Sequence, residues 1–105
     1  MTTVVVQSGS CGYTVTITAE RGEKGTIAVN LETDCEMVKK MQEDVGKLDR
    51  LVPLTGIVTN PVYRSAGRHL KHAACPVPAG ILKAVEVEAG LNVSKDARIT
   101  FVVPS

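Results

Sequence analysis

Aromatic residues are rare in this sequence: 105 residues include two tyrosines, one phenylalanine and no tryptophan. Proteins that bind single-stranded nucleic acids stack bases on aromatic side chains, and the basic stretch of this chain, residues 50–85, carries few charges, so no nucleic-acid partner is expected. The core must be aliphatic, and a composition that is 44% hydrophobic supplies enough Val, Ile, Leu and Ala for it. The length predicts one domain, residues 1–105.

Long hydrophobic runs are also missing. No apolar stretch approaches the roughly 20 residues that span a bilayer. The first residues, Met-Thr-Thr-Val-Val-Val, lack the basic flank and cleavage site of a signal peptide. We therefore expect no membrane association and a cytoplasmic location. The three cysteines are an odd number, which argues against a disulfide framework and predicts reduced thiols.

Acidic residues are absent from the range 50–85, which contains five basic residues and two histidines. This asymmetry predicts a positive field around Cys75, although a solvated basic surface explains it equally well. No glycine-rich phosphate loop, general-base constellation or Ser/Lys nucleophile motif is present, so a hydrolase is not favoured and whether the protein is an enzyme stays open.

Alternating apolar residues predict a β-meander in the first third of the chain. A short β-rich run covers Val4–Gln7, strict alternation covers Tyr13–Ala19, and a turn at residues 21–25 leads to a return strand through Ile27–Leu31. A fourth strand is expected at Ile99–Val103.

Three helices are predicted between these strands. The first begins near Cys35, with Thr33 or Asp34 as its cap, and continues to Val52. The second begins at Asn60-Pro61 and runs to about residue 73, after a segment at 54–59 that is either loop or strand. The third begins at Cys75 or Pro76 and ends at Gly90, although residues 85–88 also fit a strand.

These elements predict an α+β fold, a two-layer sandwich of a mostly antiparallel four-stranded sheet and three helices. The face of the sheet that carries Thr14, Thr16 and Thr18 is expected to be either exposed to solvent or the surface of a homodimer.

Alternating up and down elements would bring Cys11, Cys35 and Cys75 to one edge of the sheet. Three thiolates can hold Zn²⁺ with His72 or Asp34 as the fourth ligand, or three irons of a [4Fe–4S] cluster. The Cys-x-x-Cys pairs of most such sites are missing, and a helix-end histidine more often bonds a carbonyl. Cys75 could also be simply a small buried hydrophobic residue.

Cys75 is in addition the candidate catalytic residue. The positive end of a helix dipole favours thiolate over thiol, so a cysteine at the start of the third helix is expected to have a lowered pKa and to be reactive.

Two resemblances follow from these motifs. Cys75-Pro76-Val77-Pro78, followed by a helix, resembles the CPxP segment of TusA-type sulfur carriers, which implies that Cys75 carries a persulfide. Those carriers have a strand before the motif and no counterparts of Cys11 and Cys35. The Cys-Gly-Tyr, Thr-Asp-Cys and His-Ala-Ala-Cys-Pro-Val-Pro segments also resemble a small uncharacterised family known only as a domain of unknown function.

Three hypotheses remain open on sequence grounds. The chain binds a metal ion or iron–sulfur cluster through its three cysteines, carries sulfur or performs thiol redox chemistry through Cys75, or is a non-catalytic interaction domain with an unknown protein partner.

Overall fold

A computed structural model describes residues 1–104 and has an α+β architecture in two layers. Four strands form one antiparallel sheet in the order β1-β2-β3-β4. Their bounds are β1 Thr2–Gln7, β2 Thr14–Arg21, β3 Thr26–Glu32 and β4 Lys47–Asp49. The predicted fold class and the predicted three-stranded meander are therefore confirmed.

One face of the sheet carries the core. Val6 lies opposite Val15 across β1 and β2, and Ile17 lies opposite Leu31 across β2 and β3, so the buried side chains form rows. The alternate residues point to the other face, where Thr14 is exposed and Thr16 and Thr18 are half-buried. The three helices cover the first face only, as expected from the period-two pattern of the strands.

The helices are α1 Glu36–Val45, α2 Pro61–His69 and α3 Val77–Glu88. Helix α3 packs on β1 and β2, α1 packs on β3, and α2 packs on α1 and α3. The apolar positions of each helix recur at helical spacing and are buried: Val38, Met41 and Val45; Val62 and Ala66; Val77, Ile81, Ala84 and Val85. Among residues 1–104, no helix is long and apolar enough to cross a membrane.

The first helix is shorter than predicted. It ends at Val45, and residues 47–49 form β4 by pairing with β3. Leu48 and Val52 are buried as the apolar stripe indicated, but in a strand and in a short 3₁₀ helix, Val52–Leu54. The prediction was wrong because Gly46 weakens the helix, while residues 47–49 gain ladder hydrogen bonds with β3.

A glutamine side chain continues this strand pairing. The Gln42 Nε2 donates a 2.8 Å hydrogen bond to the Val29 carbonyl, and the Leu31 N–H donates a 2.7 Å hydrogen bond to Gln42 Oε1. These are backbone groups that a neighbouring strand would otherwise pair. β4 pairs only with residues 26–28 of β3, and the Gln42 side chain of α1 therefore covers the next part of this strand, at Val29 and Leu31.

The strand predicted at Ile99–Val103 is also wrong. Residues 91–104 contain no helix or strand and are exposed along their whole length. The molecule measures 52 × 28 × 25 Å. The longest strand, β2, has eight residues and is about 27 Å long, so the packed helices and strands account for the two shorter dimensions. The exposed segment 91–104 then accounts for the longest dimension.

Local signals at the other helix ends are mostly confirmed. Asn60 caps α2, and its Oδ1 accepts a 2.9 Å hydrogen bond from the Val62 N–H. Helix α2 ends at His69, four residues earlier than predicted. Residues 85–88 are helical rather than a strand, because Val85 is buried on the same face as Ile81. Gly90 has φ +77°, the left-handed conformation expected after a helix.

Candidate thiol site

Two of the three cysteines lie in connections at the same end of the sheet. Cys11 ends a 3₁₀ turn, Gly9–Cys11, in the connection between β1 and β2. Cys35 follows β3 by three residues and is itself the N-cap of α1, the position predicted for Thr33 or Asp34. Because Gln7 pairs with Thr14 and β3 runs toward this end, both connections emerge from the same edge of the sheet.

Helix α3 brings Cys75 to this edge as well. A Cβ built on Gly80, in the first turn of α3, would overlap Val6 near the end of β1. At the other end of α3, the Glu88 carboxylate accepts a 2.7 Å hydrogen bond from Thr2 Oγ1 at the start of β1. Helix α3 therefore runs antiparallel to β1, and the residue two positions before it, Cys75, lies at the edge where β1 ends.

The three thiols differ in exposure. Cys11 is exposed, Cys75 is half-buried, and Cys35 is 7% exposed and packs in the core. All three are free thiols. The three thiols thus range from one in contact with solvent, Cys11, to one packed in the hydrophobic core, Cys35.

The Cys75 thiol has a raised pKa. Partial burial removes water from the thiolate and is the main cause, and the charges of Cys11 and Cys35 raise the pKa further. The Val77 N–H opposes this by favouring the thiolate.

The lowered pKa predicted for Cys75 is wrong. The N-cap of α3 is Pro76, so Cys75 stands outside the helix, and only the Val77 N–H favours its thiolate. Loss of water around the sulfur outweighs this single favourable contact. Cys35, although an N-cap, makes no side-chain capping hydrogen bond.

His72 lies on the solvent side of this edge. The Cys75 N–H donates a 3.2 Å hydrogen bond to the His72 carbonyl, which closes a turn across residues 72–75. The His72 side chain and Asp34 are both exposed. Within residues 1–104, no three or more His, Cys, Asp or Glu side chains are already grouped closely enough to hold a metal ion.

A second polar cluster, which the sequence reasoning did not find, joins α1 to α2. Asp44 Oδ2 accepts a 2.6 Å hydrogen bond from Ser65 Oγ and lies 3.1 Å from both Arg68 Nη2 and His69 Nε2. Hydrogen bonds from Ser65 and Arg68 hold the Asp44 pKa below its usual value. Arg68 and His69 of the basic segment thus face Asp44 rather than the thiols, and His69 is half-buried.

Part of this cluster has a sequence signal. Ser65 and His69 are four residues apart and share a face of α2. No local pattern indicates that this face meets Asp44 of α1, because that contact depends on how the two helices pack.

Comparison with known protein families matches residues 2–101 to the model of a family of unknown function, DUF6951. No curated protein matches the chain, and no solved structure matches it. The resemblance of the Cys75 motif to TusA-type carriers therefore gains no support from relatives.

Proposed function

The chain belongs to this family of unknown function, and we propose that it binds a soft metal centre, a zinc ion or an iron–sulfur cluster, through Cys11, Cys35 and Cys75. The observation that carries the proposal is the arrival of three cysteines, from three separate connections, at one edge of the sheet. Thiolates are the ligands that both kinds of centre prefer.

The electrostatics of the edge support a cation there. The pKa of Cys75 is raised mainly by loss of water around its thiolate and further by repulsion from the charges of the two other cysteines. A bound metal cation reverses this balance, because a thiol that coordinates a metal loses its proton. Metal binding at this edge is therefore expected to release protons.

A small movement must accompany binding, since the described side chains are not grouped as ligands in advance. The turn that carries Cys11 is suited to it. Gly9 and Gly12 have φ of +80° and +78°, and a Cβ on either would meet no atom within 4 Å. We infer that this exposed turn closes over a metal held first by Cys35 and Cys75.

The fourth ligand distinguishes the two centres. His72 belongs to the same turn as Cys75, so it is the candidate fourth ligand for tetrahedral zinc. An iron–sulfur cluster held by three cysteines would instead leave one iron open to a small ligand. Replacement of His72 should therefore weaken zinc binding and leave a three-cysteine cluster intact.

Anaerobic purification followed by measurement of zinc, iron and acid-labile sulfide tests the proposal. We expect a stoichiometric metal content that is lost in Cys11→Ser, Cys35→Ala and Cys75→Ser. Ser10→Ala is the matched control, because Ser10 is exposed and adjoins Cys11. Thermal melting of each variant without metal separates loss of ligation from loss of folding. Metal-free protein with three alkylatable thiols would refute the proposal.

A second candidate function is sulfur transfer through Cys75, favoured by the partial exposure of this thiol at the start of α3. The Cys75 thiolate would attack the outer sulfur of a donor persulfide. A sulfur–sulfur bond then forms at Cys75, and the donor cysteine leaves as a thiolate.

Incubation with a cysteine desulfurase and free cysteine, followed by intact mass spectrometry, tests this second function. One added sulfur atom that is lost in Cys75→Ser but kept in Cys11→Ser would support it. An unchanged mass would exclude it. Failure of both the metal and the sulfur assays would favour a non-catalytic interaction domain.

A further inference from the structure

The segment 91–104 has the pattern of a strand but no partner among the residues that the structure describes. Ile99 and Phe101 are 90% and 94% exposed, and Val102 and Val103 are nearly as exposed. Apolar side chains alternate here with Arg98 and Thr100, as they do in a strand with one buried face. Large apolar residues in such a run mark an interaction site, because their exposure to water is unfavourable.

Strand β1 offers an unpaired edge. It is the first strand in the sheet order and pairs on one side only, with β2. The opposite edge of the sheet is closed in part by Gln42, which bonds the free backbone groups of β3. β1 therefore has the longest row of backbone groups that remain free to pair with another strand.

The segment and the edge match in length and in the character of their faces. β1 has six residues, and so does the alternating run 98–103. On the helix-covered face, β1 carries Val6, which is buried, and Val4, which is partly buried. On the open face it carries Val5, which is 58% exposed. In an added strand, Ile99, Phe101 and Val103 would lie on the helix-covered face and cover Val4. Val102 would lie on the open face and cover Val5.

We propose that residues 98–103 of one chain pair with β1 of a second copy, and that residues 98–103 of the second copy pair with β1 of the first. The described residues 91–104 are exposed along their whole length and pair with no strand of their own sheet, so the partner edge is assigned to another molecule. Reciprocal addition of this kind produces a closed two-fold dimer and uses backbone hydrogen bonds for affinity and alternate side chains for specificity. The thiol site takes no part in this contact.

Sedimentation velocity and light scattering of the full chain, with and without Ile99→Asp and Phe101→Asp together, test the proposal. The wild type is expected to be a dimer and the double variant a monomer of half the mass. Lys95→Glu, an exposed charge change in the same segment, is the matched control and should stay dimeric. Because both replaced side chains are exposed, the melting of the monomer fold should be unaffected.

Hydrogen exchange of the β1 amides that point away from β2 identifies the acceptor, because the alternate amides of this strand already bond β2. Exchange of these outward amides should be slow in the wild type and fast in the double variant. A dimer that survives the two replacements, or one whose loss leaves exchange in β1 unchanged, would overturn the proposal. A monomeric wild type would also overturn it, and slow exchange of the outward β1 amides in that monomer would show that the segment pairs with its own chain.

Discussion

The Ser65 hydroxyl donates a 2.6 Å hydrogen bond to the Asp44 carboxylate, and this contact joins the middle of α2 to the end of α1. Ser65 is completely buried, whereas the carboxylate also reaches Arg68 and His69 near the surface. Asp44 thus connects a buried hydroxyl to the basic end of α2 and fixes how the two helices meet.

Stability should decrease in acid partly through Asp44. Its pKa is lowered from the usual 3.8, chiefly by the Ser65 hydrogen bond, so its contribution is complete above pH 3.8 and is lost as pH falls through the folded-state pKa. Urea unfolding of Asp44→Asn as a function of pH should show a smaller loss of stability in acid than the wild type. Glu43→Gln, at an exposed neighbouring position, should keep the wild-type dependence.

Replacement of Gly80 by Ala should destabilise the fold by about 1–3 kcal/mol, although Ala is the better helix former. The new Cβ would overlap Val6 and lie 3.2 Å from Ile17 Cδ1. Gly67→Ala in α2 is the control. Its Cβ would meet nothing within 4 Å, so a gain of about 0.5–1 kcal/mol is expected. Chemical denaturation measures both, and a neutral Gly80→Ala would contradict this packing of α3 on β1.

Asn60→Ala should cost about 2 kcal/mol or more, because it removes an N-cap and also two hydrogen bonds that the Asn60 side chain donates to loop carbonyls. Asn60 is 1% exposed, and its Nδ2 donates to the carbonyls of Val52 and Thr55 at 2.9 and 3.3 Å. Asn60→Asp keeps the acceptor for the Val62 N–H but loses these donations. The difference between the free energies of unfolding of Asn60→Ala and Asn60→Asp separates the contribution of the N-cap from that of the loop contacts. Equal stability of wild type and Asn60→Ala would contradict both roles.

Alkaline pH should destabilise the metal-free protein through Cys75. Its pKa is raised from the usual 9.0, mainly by burial, so its contribution is complete below pH 9.0 and is lost as pH rises through the folded-state pKa. Cys75→Ser should flatten the decline in melting temperature above pH 9.0. In alkylation time courses, exposed Cys11 should react first and buried Cys35 last. A Cys75 that ionises below pH 9.0 would contradict the assignment.

Much of the fold is predictable from local patterns. The period-two runs in β2 and β3 predict which face is buried, and Asn60-Pro61 and Gly90 mark helix ends through capping and left-handed geometry. The break at Gly46 was not predictable, because Leu48 and Val52 continue the helical spacing of Val45. Only the free edge of β3 makes a strand more favourable there.

The candidate thiol site likewise has features that local patterns predict and features that they do not. Local sequence patterns predicted neither the exposure of the thiols nor the pKa of Cys75, since burial and neighbouring charges depend on distant parts of the chain. Likewise, the alternation in residues 98–103 indicates a strand, but no local signal says which edge would accept it.

Covalent order and local periodicity determined the strands of the meander, the helix starts and the presence of three reduced thiols, since backbone preferences and side-chain spacing act over a few residues. Tertiary structure alone decided that Lys47–Asp49 joins the sheet, that Asp44 meets Ser65, and that Cys75 is half-buried with a raised pKa. These features depend on which surfaces pack together, because hydrogen bonding and loss of water between distant segments outweigh local preferences.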